Sequence, residues 1–152
     1  MNEATDLQDL YRQTVLDHSR HPRNCRCIED ANASAVGHNP LCGDKITLYV
    51  KRHDHEIDEL AFEGVGCAIS LASASIMTER LGQVKTAAAR SEIALVLRQF
   101  GAAPDEAQSL PGDMAALSGV RAYPSRTKCA TLAWKTLLAA LDGENQLVTT
   151  EE

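Results

Sequence analysis

Aromatic residues are scarce in this chain, with two Phe, three Tyr and one Trp among 152 residues. A core must therefore rest on Leu, Ile, Val and many Ala. No run of basic residues could follow a phosphate backbone, and 15 Lys and Arg against 21 Asp and Glu leave a formal charge of −6. Nucleic acid is not an expected partner. Long apolar runs are missing too, since no stretch reaches the ~18 residues of a membrane span. The opening "MNEATDLQDLY" is polar and acidic where a signal peptide would show a basic residue and then an apolar run, which predicts a cytoplasmic protein. In a reducing compartment five cysteines read as thiols, metal ligands or catalysts rather than disulfides. None of them forms a CxxC pair.

What is present fits one domain over residues 1–152, with a core of about 6–142 and a polar tail at 143–152. Leu7, Leu10, Tyr11 and Val15 recur at helical spacing behind a capping-box pattern of Thr5 and Gln8, predicting a helix from about Asp6 to Ser19. "RHPRNCRCIEDANAS" has turn formers without periodicity and reads as a surface loop. Ile46, Leu48 and Val50 alternate with polar neighbours, and a second alternation follows at Leu60 and Phe62. These predict an antiparallel hairpin joined by a shorter strand near Ala35 to His38. Helical signals then run from near Cys67 to Gly82, over Ile93 to Phe100, briefly at Met114 to Leu117, and from the Cys129 region to a stop at Gly143. The expected fold is α+β, a small antiparallel three-stranded sheet with helices packed on one face.

Three cysteines fall at ends of elements. Cys42 precedes a strand, Cys67 sits at a strand-to-helix junction, and Cys129 lies in the first turns of the last helix. The positive end of a helix dipole at the last two favours thiolate over thiol. In "NPLCGDKI", Gly43 allows Cys42 and Asp44 to face a common point. Three thiols and a carboxylate suit a tetrahedral zinc ion. Gaps of this length carry no metal signature, so spacing alone leaves unconnected buried cysteines equally open.

The segments "LYRQTVLDHSRHPRN", "NPLCGDKITLYV", "FEGVGCAISLASASIMTE" and "YPSRTKCATLAWKTLLAAL" resemble the SufU-type branch of the IscU-like iron–sulfur assembly proteins, from about Leu7 to Leu141. The resemblance implies that Cys42, Asp44, Cys67 and Cys129 hold one zinc ion. It implies a sulfurtransferase in which Cys42 accepts persulfide sulfur from a SufS-type cysteine desulfurase, while the other three ligands keep the zinc. On docking, a partner histidine would take the place of Cys42, and the sulfur would pass to a separate SufBCD-type scaffold. Two further features resemble this branch: about twenty residues around "GAAPDEAQSLPGDMAALSGVRAYP", and Lys128 before Cys129 where cluster scaffolds carry His. A protonated lysine cannot ligate iron. The competing readings are a scaffold that itself builds a [2Fe–2S] cluster on iron, and a non-catalytic zinc-stabilised adaptor.

Arg126, in the pattern R-x-K-C, is expected to steady an anionic thiolate–zinc site or to pair with Asp44. Cys25 and Cys27 depart from the family pattern and read as incidental exposed thiols. His53 and His55 read as a solvated hairpin turn, and His18 and His21 as a docking element or a helix C-terminal cap. The small residues of "SLASAS" read as a close helix-packing surface rather than as a catalytic serine.

Overall fold

The computed structural model describes residues 3–102, 108–143 and 148–149. Helix α1 (Glu3–Arg20) leads into a loop, followed by strands β1 (Ala33–Asn39), β2 (Asp44–His53) and β3 (Glu56–Val65). Helices α2 (Ala68–Leu81) and α3 (Thr86–Gly101), a 3₁₀ segment (Gly112–Ala122), helix α4 (Pro124–Leu141) and a two-residue strand β4 (Val148–Thr149) complete the order.

The three antiparallel strands are those expected, in the order β3-β2-β1, with Asn39 opposite Asp44 and Leu48 opposite Phe62. Period-two alternation puts Ile46, Leu48 and Val50 on one fully buried face. Helix α4 lies across β1 and β2, and α2 across β3. The core joins Ile46, Leu48, Phe62, Leu132, Trp134 and Leu137. The helices thus cover one face. The other carries the loop before β1, where Asn24 accepts a hydrogen bond from Phe62 N–H, Arg26 pairs with Glu59, and Asp30 with Lys51.

Four details differ from expectation. Helix α1 begins at Glu3, so Thr5 lies inside it rather than at its start. Its predicted apolar stripe is only partly used, because Leu7 and Leu10 are exposed. The brief turn expected at Met114 to Leu117 is the middle of an eleven-residue 3₁₀ segment. Past Gly143, whose positive φ ends α4, the polar tail adds a short strand to the sheet: Val148 and Thr149 pair in parallel with Gly37 and His38. Residues 103–107, within the stretch after α3 that resembles the SufU-type branch, lie outside the described residues. No helix among the described residues is long and apolar enough to cross a membrane.

Candidate metal centre

One end of the sheet gathers the turn between β1 and β2, the start of α2 and the second turn of α4. The turn, residues 40–43, is closed by a hydrogen bond from Cys42 N–H to Asn39 C=O at 3.2 Å. Gly43 follows with φ +71, and a Cβ there would meet nothing. Glycine is required for backbone conformation alone. The turn presents Cys42 to solvent, whereas Asp44, the first residue of β2, has no accessible surface.

Across the strand-to-helix junction, Cys67 is the N-cap of α2 in extended conformation, with no side-chain cap. Its backbone N–H donates to Asp44 Oδ1 at 2.9 Å. The carboxylate thereby satisfies an orphan donor at the helix start. Gly66 makes the approach possible, since a Cβ there would stand 2.6 Å from Asp44 Oδ1.

Cys129 is fully buried on α4, and its Sγ lies 3.5 Å from Cys42 Sγ. Two thiolates sharing a tetrahedral zinc at ~2.3 Å stand about 3.8 Å apart, so the pair is close to that spacing. Asn39 joins the group from β1, its amide nitrogen 3.5 Å from both Asp44 Oδ2 and Cys129 Sγ. Its side-chain amide oxygen is buried without a hydrogen-bond partner among the described residues.

Ligand atoms of Cys42, Asp44 and Cys129 all fall within 4.8 Å of one another. Cys67 is outside that mutual set, although its thiol is near enough to act on Cys129. Burial pushes the Cys129 thiol strongly upward, with contacts to Asp44, Cys42 and Cys67 adding to the effect. This differs from the thiolate expected of a helix start. Cys129 is the sixth residue of α4, and the dipole fades beyond the first turn, so desolvation wins. A buried carboxylate with no cationic partner among the described residues, beside a buried thiol that resists ionisation, is a donor set that fits a divalent cation.

Arg126 is exposed and makes no ion pair with Asp44 among the described residues; it lines an apolar hollow with Ile69, Val120 and Tyr123. Lys128 lines a different hollow with Leu97, Phe100 and Lys135. Cys25 and Cys27 are exposed on the loop over the opposite face, Cys27 near the Tyr49 hydroxyl. Sequence reasoning assigned Asn39 no role, because an Asn-Pro dipeptide signals a turn and says nothing of what the side chain touches.

Fold and site together define a small α+β protein with a cysteine–carboxylate donor group at one end of its sheet. Residues 10–130 match the family model for the NifU-like N terminal domain. The chain belongs to that family. It is 41% identical over 139 residues to the zinc-dependent sulfurtransferase SufU of Bacillus subtilis, covering 90% of this chain and 92% of the relative. It is 39% identical over 141 residues to the iron–sulfur cluster assembly scaffold protein IscU of Streptococcus pyogenes, covering 89% and 84%. A crystal structure assigned to iron–sulfur cluster assembly for the SUF system in Fervidobacterium islandicum superposes with TM-score 0.78 at 33% identity, covering 85% of this chain and 94% of that one. The N-terminal NifU-like protein of Brucella abortus shares the fold, with TM-score 0.79 over 90% and 95% of the two chains at 22% identity.

Proposed function

We propose that this protein is a zinc-dependent sulfur acceptor, taking sulfur from a SufS-type cysteine desulfurase on Cys42 for delivery to a SufBCD-type iron–sulfur scaffold. The observation that carries the reading is the asymmetry of the centre: Cys42 is exposed on a glycine-flanked turn, while Asp44 and Cys129 are wholly buried. A group that attacks a partner's sulfur must be reachable, and groups that retain an ion must not be. Zinc held by Cys42, Asp44, Cys67 and Cys129 would supply the positive charge that keeps these thiols ionised.

Cys42 thiolate attacks the outer sulfur of the desulfurase persulfide. The new Cys42 S–S bond forms as the desulfurase S–S bond breaks, and the electron pair leaves with the desulfurase cysteine as thiolate. Cys42 ends as a persulfide, with no net redox change. Leu41 beside Cys42, Val65 two residues before Cys67, and Tyr123 at the start of α4 are exposed apolar side chains. They supply contact area for a protein partner around the reacting thiol. Arg126 and Lys128 precede Cys129 by three residues and by one, and carry positive charge at the same end of α4.

The name of the Bacillus subtilis relative supports sulfur transfer. That of the Streptococcus pyogenes relative favours the other reading, a scaffold assembling a [2Fe–2S] cluster, which three thiols and a carboxylate can ligate. Turnover of a SufS-type desulfurase on L-cysteine with reductant separates the two. Zinc-loaded protein should accelerate it, and both zinc-stripped protein and Cys42→Ala should not. Stimulation that survives zinc removal, with a stable visible chromophore on adding iron, would establish the scaffold instead.

A further inference from the structure

We propose that His18, Glu79 and Asp113 form a second zinc site, separate from the cysteine centre. His18 lies in the last turn of α1 and is 3% exposed. Its Nδ1 is 2.7 Å from Ser75 Oγ on α2, and that oxygen also accepts the Arg23 backbone N–H at 2.8 Å. The serine hydroxyl fixes the imidazole plane. Metal-ligating histidines commonly have their second nitrogen held in this way.

The other nitrogen, Nε2, points at two carboxylates, 3.4 Å from Asp113 Oδ2 and 3.7 Å from Glu79 Oε1. Neither contact is a hydrogen bond, and the three ligand atoms lie within 4.8 Å of one another. Nitrogen and oxygen ligands bonded to a tetrahedral zinc at ~2.0–2.2 Å stand about 3.4 Å apart. A direct N–H···O contact would close to ~2.9 Å. The two spacings from Nε2 are compatible with side chains arranged around an ion.

Charge agrees with this. Arg23 is engaged by Asp17, and Arg80 holds Glu92 through two bonds of 2.8 and 2.6 Å. Among the described residues this leaves His18 as the only cationic group within ion-pair distance of Glu79 and Asp113, with Arg23 acting on both carboxylates and Arg80 on Asp113 from further away. Two carboxylates and a neutral imidazole balance one divalent cation, and the imidazole selects a transition metal over magnesium or calcium. An open hollow lined by Ile76, Glu79, Arg80, Gly112 and Asp113 leaves the two carboxylates accessible from solvent.

Glu79 follows Cys67 by twelve residues along α2, about 18 Å at the helical rise, so the two sites share no ligand. The ligands come from α1, α2 and the 3₁₀ segment. Bound zinc would tie the N-terminal helix and the 3₁₀ segment to the helix that starts at the cysteine centre.

The test is the number of zinc ions retained per chain after equilibrium dialysis against buffered free zinc. Wild type is compared with the double variant Glu79→Gln, Asp113→Asn, whose carboxylates are solvent-facing and should not disturb folding. The double variant should retain one zinc fewer than wild type. Binding at incidental surface groups cancels in that difference. Cobalt substitution adds an independent readout, since thiolate-to-cobalt absorption reports the cysteine centre alone. That absorption should be equal in both proteins, and its absence from both would count against the cysteine centre without touching this site. Equal zinc counts in wild type and double variant would overturn the proposal and leave His18 as a buried, serine-bonded histidine near two acids.

Discussion

Gly43 and Gly66 flank the cysteine centre and are needed for opposite reasons. At Gly43 space is free but φ is +71, so an alanine meets only the left-handed backbone penalty of roughly 1–2 kcal/mol. At Gly66 the constraint is contact, since a Cβ would stand 2.6 Å from the Asp44 oxygen that accepts the Cys67 N–H. Gly66→Ala must displace the Asp44 carboxylate or the start of α2. It should weaken zinc binding about 10- to 100-fold, the range seen when a group orienting a ligand is lost. Gly43→Ala should mainly lower folding stability. Chelator competition and urea unfolding measure the two quantities separately. If both variants bound zinc like wild type, the approach at Gly66 would have no part in shaping the site.

At the scale of elements, α2 shows how small side chains position the centre. Ser73 is buried between α2 and α4, donating to Ala130 C=O at 2.6 Å and accepting Trp134 Nε1–H at 3.0 Å. Ser73→Ala should cost about 1–3 kcal/mol, because it strands a buried indole N–H, and a shifted urea midpoint with unchanged slope would show it. An unchanged midpoint would mean that the indole finds another acceptor. The serine-rich run was legible as packing surface, and so was the helix start beside Cys67, where strand alternation gives way to small residues. The Ile46, Leu48 and Val50 alternation likewise announced the buried face of β2. What stayed hidden depends on partners remote in sequence. Two residues of β4 carry no local pattern, Asn39 reads as part of a turn, and Ser75 reveals its histidine only when α1 and α2 meet. The thiolate expected at Cys129 failed for the same reason, because burial is decided by the whole fold and not by position along a helix.

For the molecule as a whole, the buried thiol makes metal content and pH interdependent. Without metal, desolvation raises the folded-state pKa of Cys129 above its ordinary value of 9.0. Below pH 9 both folded and unfolded chains keep that proton, and pH has no leverage through this group. Above it the unfolded chain releases the proton while the folded chain retains it, so the native state binds more protons and stability falls as pH rises. The expected slope is about 1.4 kcal/mol per pH unit for this thiol. Zinc bound there would remove the conflict by taking the ionised form, and would stabilise only the folded chain, in which the donor groups are assembled. Metal-stripped protein should therefore lose stability steeply between pH 9 and 10.5, zinc-loaded protein should not, and stripped Cys129→Ser should lack the component due to this thiol. Urea unfolding across that range gives the three curves. Parallel curves for stripped wild type and stripped Cys129→Ser would mean that the buried thiol opens to water before it titrates, and that the closed end of the sheet is less rigid than the packing of α4 on β1 implies.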